Sequence, residues 1–124
     1  FIGDRLDTDI MGANRVGIDS VLVLTGIDRP KHVLAAPEGS RPTFIVSDLR
    51  ELHQPYPATV ERDGVFHVNG AAVRVRGADV EIVADGGEQI DLLRAGAAAI
   101  WASGTPVFVL RVPEHLYDDP FHRP

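Results

Sequence analysis

The chain has 124 residues, of which 44% are hydrophobic and 24% are charged, which fits one small domain or part of one with an appendage. The formal net charge of −6, with Lys31 as the sole lysine, argues against a nucleic-acid partner, because phosphate binding needs clustered Lys and Arg. The absence of cysteine excludes a disulfide framework, a thiolate nucleophile and a Cys-ligated zinc site, and it suits a cytoplasmic protein. No apolar run approaches the roughly 20 residues of a membrane span, so we expect no membrane partner.

The first part of the chain predicts the end of an α/β unit with a parallel, Rossmann-like sheet. Two apolar, β-branched runs show no polar alternation, as is typical of parallel strands that are covered on both faces. The order of strands and helices implies parallel pairing with right-handed crossovers. The predicted elements are a helix at 8–16 capped by Asp7 or Thr8 and stopped by Gly17, a strand at 20–24 ended by Thr25-Gly26, a helix at 31–36, a strand at 43–46, and a helix at 48–52 capped by Ser47.

The pattern changes after Pro55 and Pro57, which predicts a core segment at 1–54 and a small α+β appendage at 55–112. Two hairpin signals, Asp63-Gly64 and Asn69-Gly70, predict an antiparallel meander. Residues 113–124 are expected to form a flexible tail. The predicted elements of the appendage are strands around 59–61, 65–68, 71–76 and 80–83, a helix from Glu88 to the stop signal Gly104 with Ile90, Leu93, Ala97, Ile100 and Trp101 on one stripe, and a final strand at 106–112.

Three carboxylates, Asp4, Asp7 and Asp9, lie within the first nine residues. The apolar pair before Gly3 would place Asp4 at the carboxyl end of a strand, where open α/β sheets hold their ligands. Mg²⁺ takes oxygen ligands and usually needs one or two protein carboxylates beside waters and substrate phosphate. The stretch therefore predicts a site for a hard divalent cation.

These residues also resemble a known family. The runs Gly3-Asp4-Arg5-Leu6-Asp7-Thr8-Asp9-Ile10, Gly12-Ala13-Asn14 with Gly17, and Val21-Leu22-Val23-Leu24-Thr25-Gly26 resemble the fourth motif and closing strand of the haloacid dehalogenase superfamily. Within it, they are similar to the large-cap subfamily of sugar-phosphate, nitrophenyl phosphate and pyridoxal phosphate phosphatases. With its β-rich second half, the chain is also similar to actinobacterial members that act on glycerol 3-phosphate.

The resemblance implies a Mg²⁺-dependent phosphatase that hydrolyses small phosphate monoesters through an aspartyl-phosphate. Asp4 would coordinate Mg²⁺, Asp9 would hold the metal's water shell or steady neighbouring groups, and Asp7 would be a loop and cap residue. The family's nucleophile, acid/base aspartate, phosphate-holding Ser/Thr and lysine all precede the fourth motif. Asp7-Thr8-Asp9 has the spacing of the nucleophile motif, but Ile10-Met11 replaces the expected Gly-Thr. We therefore expect the carboxyl-terminal part of a larger protein, with no catalytic residue of its own and inactive without its amino-terminal part.

A competing hypothesis is non-catalytic. In it, residues 57–112 form an interaction or regulatory module and the first fifty residues are a vestige of the core. A third possibility is a split enzyme that reassembles from two chains. Arg74 and Arg76 could clamp an anion, although alternating arginines are ordinary on a solvated strand face. The histidines form no HxH or HxxxH pair and are expected to be surface residues: His32, His53, His67, His115 and His122.

Overall fold

The structure, a computed structural model, describes residues 1–24 and 28–120. The chain divides into two compact units, Phe1–Tyr56 and Pro57–Pro124. The first unit contains a parallel sheet and the second an antiparallel sheet with a long helix, so the predicted α/β core segment with an α+β appendage is confirmed. Within the described ranges, no helix is both long and apolar enough to cross a membrane. The predicted strand end at Thr25-Gly26 and the prediction for His122 lie outside the described residues.

The sheet of the first unit has three parallel strands in the order β1-β2-β3. The strands are β1 at Ile2–Gly3, β2 at Val21–Val23 and β3 at Phe44–Val46. Leu22, Ile45 and Val46 are buried, which agrees with the apolar runs that predict covered parallel strands. Because the strands are parallel, their carboxyl ends lie at one edge of the sheet.

The helical segments of the first unit are short. They are a π-helical turn at Leu6–Ile10, α1 at Met11–Arg15, α2 at Pro30–Leu34, and 3-10 turns at Glu38–Ser40 and Leu49–His53. The predicted stop at Gly17 is confirmed, since this glycine has a φ of 74°.

Both predicted caps of the first unit are wrong. Burial of Leu6 starts the first turn earlier than predicted, so Asp7 and Thr8 lie inside it and its N-cap position is Arg5, which makes no side-chain cap. The cap of the 3-10 turn is Asp48 rather than Ser47. The Asp48 carboxylate accepts a hydrogen bond from the amide of Arg50 at 2.8 Å.

The second unit has a four-stranded antiparallel meander in the order β4-β5-β6-β7. The strands are β4 at Thr59–Arg62, β5 at Val65–Val68, β6 at Ala71–Arg76 and β7 at Asp79–Ala84. Both predicted turns form, and Asp63 and Asn69 adopt positive φ values of 53° and 51° there. Asn and Asp tolerate this left-handed region better than most residues, so local turn chemistry explains the register.

A single long helix, α3 at Gln89–Ser103, packs against β5 and β6. Leu93, Ala97 and Ile100 are buried, and the helix ends at Gly104 with a φ of 70°, as predicted. The Trp101 side chain is half-buried.

The end of the second unit differs from the prediction in two places. Residues 106–112 form no strand, because Pro106 leads into a 3-10 turn at Val107–Val109 and Arg111 makes only an isolated bridge to Asp79. The predicted flexible tail contains a 3-10 turn at Glu114–Tyr117. Leu116 of this turn is fully buried and lies against Gly96 of α3, so the segment is packed rather than frayed.

Candidate metal site

The site loop is the segment Asp4–Asp9, which starts at the residue after β1. It leaves the sheet at the edge formed by the carboxyl ends of the parallel strands. Ligands of open α/β sheets bind at this edge, because the loops that follow the strands converge there. The fold therefore puts the predicted metal residues where such a sheet holds ligands.

Asp9 is tied directly to the backbone of Asp4. The amide N–H of Asp4 donates a hydrogen bond to Oδ2 of Asp9 at 3.2 Å. The Asp4 side chain is exposed and the Asp9 side chain is half-buried. The structure thus brings the two predicted metal residues together, while their role as ligands stays a prediction.

Gly3 allows this close approach. A Cβ atom added to Gly3 would lie 2.3 Å from Cβ of Asp9 and 2.8 Å from its Cγ. Non-bonded carbon atoms prefer separations of about 3.5–4.0 Å, so any side chain at this position would displace Asp9. The glycine of the motif is explained by the space that the second acid occupies.

A π-helical turn closes the loop. The amide N–H of Ile10 donates to the carbonyl oxygen of Arg5 at 3.1 Å. Leu6 and Ile10 are buried, which anchors both ends of the turn and leaves Asp9 beside the amide of Asp4. Single π-helical turns are rare and occur frequently at functional sites.

A carboxylate from outside the loop also binds it. Oδ2 of Asp28 accepts a hydrogen bond from the amide of Leu6 at 2.6 Å, and its Oδ1 lies 3.9 Å from Nδ1 of His32. The Asp28 side chain is only 18% exposed. Because Asp28 follows β2 in the chain, this hydrogen bond joins the segments that follow neighbouring strands.

Asp7 faces a different partner from the other acids of the loop. Its carboxylate accepts hydrogen bonds from Nε and Nη2 of Arg5 at 3.2 and 3.1 Å. The hydrogen bond and charge of Asp7 hold the pKa of Arg5 above its ordinary value, with smaller contributions from the charges of Asp28 and Asp4. Arg5 therefore offsets the charge of Asp7 and leaves a net negative loop, which favours a bound cation.

The donor set fits Mg²⁺. Asp4 is an exposed carboxylate and Asp9 is oriented by its hydrogen bond, so the loop offers two oxygen-bearing groups. In residues 1–24 and 28–120, no group of three or more His, Cys, Asp or Glu side chains could hold a metal. Mg²⁺ is commonly held by one or two carboxylates together with waters and substrate phosphate, whereas structural zinc and many calcium sites need more protein ligands.

The other polar candidates bind within the protein. Arg74 and Arg76 of β6 both contact Glu81, with N–O distances of 2.6 and 2.9 Å, so they pair across the meander instead of presenting a free anion clamp. His115 contacts Asp85 at 2.6 Å and Asp118 at 2.7 Å. These contacts are explained by packing of the second unit.

Sequence reasoning missed Asp28. Its position shortly after a buried strand is the kind of signal that marks Asp4, because carboxyl ends of parallel strands share one edge. In the sequence, Thr25-Gly26 marks the end of the strand, and no local motif connects the acid that follows with Asp4. Its contact with Leu6 spans 22 positions of the chain and is not visible in any local pattern.

Comparison with known proteins identifies the family of the first unit. Residues 1–52 match a hydrolase-like family described as HAD-hydrolase-like. The chain is 41% identical over 107 residues to D-glycerol 3-phosphate phosphatase of Mycobacterium tuberculosis. This match covers 81% of this chain and 30% of that protein. The chain is also 34% identical over 68 residues to dihydroxyacetone phosphatase of Corynebacterium glutamicum. This second match covers 55% of this chain and 24% of that protein. The chain thus spans less than a third of the length of either relative.

Solved structures agree with these matches. The crystal structure of a glycerol phosphate phosphatase from Mycobacterium tuberculosis in complex with magnesium is 37% identical, with a TM-score of 0.71, over 90% of this chain and 32% of that chain. A structure of that protein in complex with calcium is 37% identical, with a TM-score of 0.67, over 82% of this chain and 30% of that chain. Residues 1–52 therefore belong to a HAD-like hydrolase domain, and the chain as a whole is similar to a mycobacterial glycerol phosphate phosphatase.

Proposed function

We propose that this chain supplies the metal-binding loop of a Mg²⁺-dependent phosphatase that hydrolyses small phosphate monoesters. The observation that carries the proposal is the contact between Asp4 and Asp9 at the carboxyl edge of a parallel sheet. This contact lies within the segment that matches the HAD-like family, and a similar phosphatase has been crystallised in complex with magnesium.

In this proposal the residues of the loop have distinct roles. Asp4 coordinates Mg²⁺, and Asp9 holds the amide of Asp4 and the metal's water shell. When bound, Mg²⁺ would offset the repulsion between the phosphoryl group and an attacking carboxylate and stabilise the developing charge. The nucleophile, which forms the aspartyl-phosphate, is an aspartate outside these 124 residues. Asp7 is unsuited to that role, because its carboxylate is paired with Arg5.

The substrate that we propose is a three-carbon phosphate monoester such as glycerol 3-phosphate. Support comes from the names of two relatives, D-glycerol 3-phosphate phosphatase and dihydroxyacetone phosphatase. The relatives are longer than this chain, so we expect the groups that select the substrate to lie outside these 124 residues. We also propose a cytoplasmic protein of the large-cap phosphatase subfamily.

The second unit is proposed to be part of the same phosphatase. The similarity to the magnesium-bound relative covers 90% of the chain and so extends well beyond residues 1–52. This extent favours an enzyme part over an unrelated interaction module with a vestigial core segment. The non-catalytic hypothesis stays open as an outcome of the following experiment.

The test is hydrolysis of p-nitrophenyl phosphate and glycerol 3-phosphate by three samples with and without Mg²⁺. The samples are the chain alone, the chain with its upstream sequence restored, and the chain mixed with a separately produced upstream part. We expect Mg²⁺-dependent hydrolysis in the restored protein and none in the chain alone. Activity of the chain alone would contradict the absence of a nucleophile, and inactivity of every sample would favour the non-catalytic module. Activity on mixing would indicate a split enzyme.

A further inference from the structure

We propose that Asp28 is a positioning residue for the metal-binding loop, which it holds in place through the backbone of Leu6. The proposal rests on the proposed function, because it concerns the cation site formed by Asp4 and Asp9. Asp28 would act without touching the metal or the substrate.

The hydrogen bond from Leu6 to Asp28 is short and shielded. Its length is 2.6 Å, and the Asp28 side chain is 18% exposed, so water competes with it only weakly. Hydrogen bonds to an ionised carboxylate are about twice as strong as bonds between neutral groups. Hydrogen bonds of similar sequence separation from Asn14 to the carbonyl oxygens of Gly39 and Arg41 have neutral acceptors, whereas Leu6 donates to a carboxylate.

Leu6 lies between the two proposed metal residues. The amide of Leu6 opens the π-helical turn, where backbone N–H groups lack a partner within the turn. Asp28 satisfies this donor, and Asp9 satisfies the amide of Asp4. The loop is therefore held at two backbone amides that are two residues apart, and this fixes the direction in which Asp4 leaves β1.

The second oxygen of Asp28 also faces the protein. Oδ1 lies 3.9 Å from Nδ1 of His32, which is beyond hydrogen-bond distance, and that nitrogen accepts a hydrogen bond from the amide of Arg29 at 2.9 Å. The hydrogen bond that fixes Asp28 on the site loop is therefore the one from Leu6. Because one oxygen binds this amide and the side chain is only 18% exposed, Asp28 is suited to orient the loop and is poorly placed to become a third metal ligand.

Mutation of residues that orient metal ligands typically changes the metal affinity by about 10–100-fold.

The test uses the full chain labelled with ¹⁵N, with Mn²⁺ as a paramagnetic probe that broadens amide signals near the cation. The variants are Asp28→Ala and Asp28→Asn, and the control is Asp19→Asn. Asp19 has an exposed side chain in the same unit, so its substitution changes the charge without touching the loop.

We expect Mn²⁺ to broaden the Asp4 and Asp9 amides of the unmodified chain, and Asp28→Ala to weaken this binding by about tenfold or more. Without metal, the Leu6 amide of Asp28→Ala should exchange faster with solvent. Asp28→Asn retains an acceptor oxygen, so it should keep part of the Mn²⁺ affinity and part of the protection of the Leu6 amide from exchange. This variant also tests the proposal if Asp28→Ala folds poorly. Unchanged Mn²⁺ affinity in both variants would overturn the proposal and leave the proposed function standing. Absence of broadening in the unmodified chain would instead contradict the metal site itself, and with it the inference.

Discussion

The amide of Asp4 donates to Oδ2 of Asp9 at 3.2 Å, so one proposed metal carboxylate holds the backbone of the other. This relationship requires that Gly3, which lies against Asp9, has no side chain. The glycine and the two acids of the motif therefore form one geometric unit. Changes to any of the three should affect both the loop and cation binding.

We expect Gly3→Ala to displace Asp9 and to destabilise the first unit. The new Cβ would lie 2.3 Å from Cβ of Asp9, and the close contact involves the base of that side chain rather than a flexible end. Overpacking of this kind typically costs about 1–3 kcal/mol in the free energy of unfolding. Urea unfolding followed by circular dichroism measures the cost, and Mn²⁺ broadening of the loop amides should weaken in parallel.

Gly12→Ala is the matched control for this prediction. A Cβ atom on Gly12 would meet nothing within 4 Å, and the residue lies in α1. Replacing Gly by Ala within a helix gains up to about 1 kcal/mol, so the control should be neutral or stabilising. Equal destabilisation by both substitutions would contradict the close approach at Gly3.

The stability of the second unit should fall as the pH rises above 6.5, because of His115. Hydrogen bonds to Asp118 and then to Asp85 hold the pKa of His115 above its ordinary value of 6.5. The charged imidazole is therefore favoured in the folded state. Its stabilising contribution is complete below pH 6.5 and is lost as the pH rises through the higher folded pKa. The free energy of unfolding as a function of pH measures this loss.

His115→Gln should remove this part of the pH dependence. His53→Gln is the control, because His53 is exposed and lies in the first unit. Nuclear magnetic resonance of the His115 ring should show a titration midpoint above 6.5 in the folded chain. A midpoint at or below that value would mean that the two carboxylates do not stabilise the charged ring.

Asp91 holds a buried polar cluster in the second unit. Its oxygens accept hydrogen bonds from Nδ2 of Asn69 at 3.0 Å and from Nη1 of Arg94 at 3.1 Å. Removal of one member of a buried ion pair typically costs about 3–5 kcal/mol, because the charge that remains loses a contact that offset its burial. We expect Asp91→Ala to lower the free energy of unfolding by about 3 kcal/mol. Glu81→Ala, which removes the partly exposed ion pairs with Arg74 and Arg76, should cost less, and similar losses would be inconsistent with the burial of Asp91.

Leu116 should be a core residue despite its place near the end of the chain. It is fully buried against Gly96 of α3. Leu→Ala at a buried position typically costs about 2–5 kcal/mol, so Leu116→Ala should lower the midpoint of urea unfolding clearly. Tyr117→Ala, at a side chain that is 39% exposed, should have a smaller effect. A negligible loss for Leu116→Ala would indicate that the segment is the flexible tail that the sequence predicts.

Local patterns predict the parts of this protein that depend on neighbours in the chain. The turns at Asp63 and Asn69 follow from residues that tolerate positive φ, and the stops at Gly17 and Gly104 follow from the same property. Asp4 and Asp9 are identified because the motif keeps both acids within one short loop. In each case the determining interactions span only a few residues.

Contacts between distant residues explain what the sequence does not predict. The bond between Leu6 and Asp28 and the packing of Leu116 on Gly96 each join segments about twenty residues apart. The run at 106–112 has the composition of a strand, but a strand also needs a partner edge, and only Arg111 pairs with Asp79. Composition alone cannot decide which edges are available.

The most direct test of the central claim is the rate of glycerol 3-phosphate hydrolysis by the restored protein that carries Asp4→Asn, measured over a range of Mg²⁺ concentrations. Asp19→Asn is the control, since it makes the same change of charge at an exposed side chain of the same unit. A bound metal contributes several kcal/mol of transition-state stabilisation, so kcat/KM should fall by at least about 100-fold in Asp4→Asn and stay unchanged in the control. Full activity of Asp4→Asn, with an unaltered dependence on Mg²⁺, would contradict the assignment of Asp4 as the metal ligand.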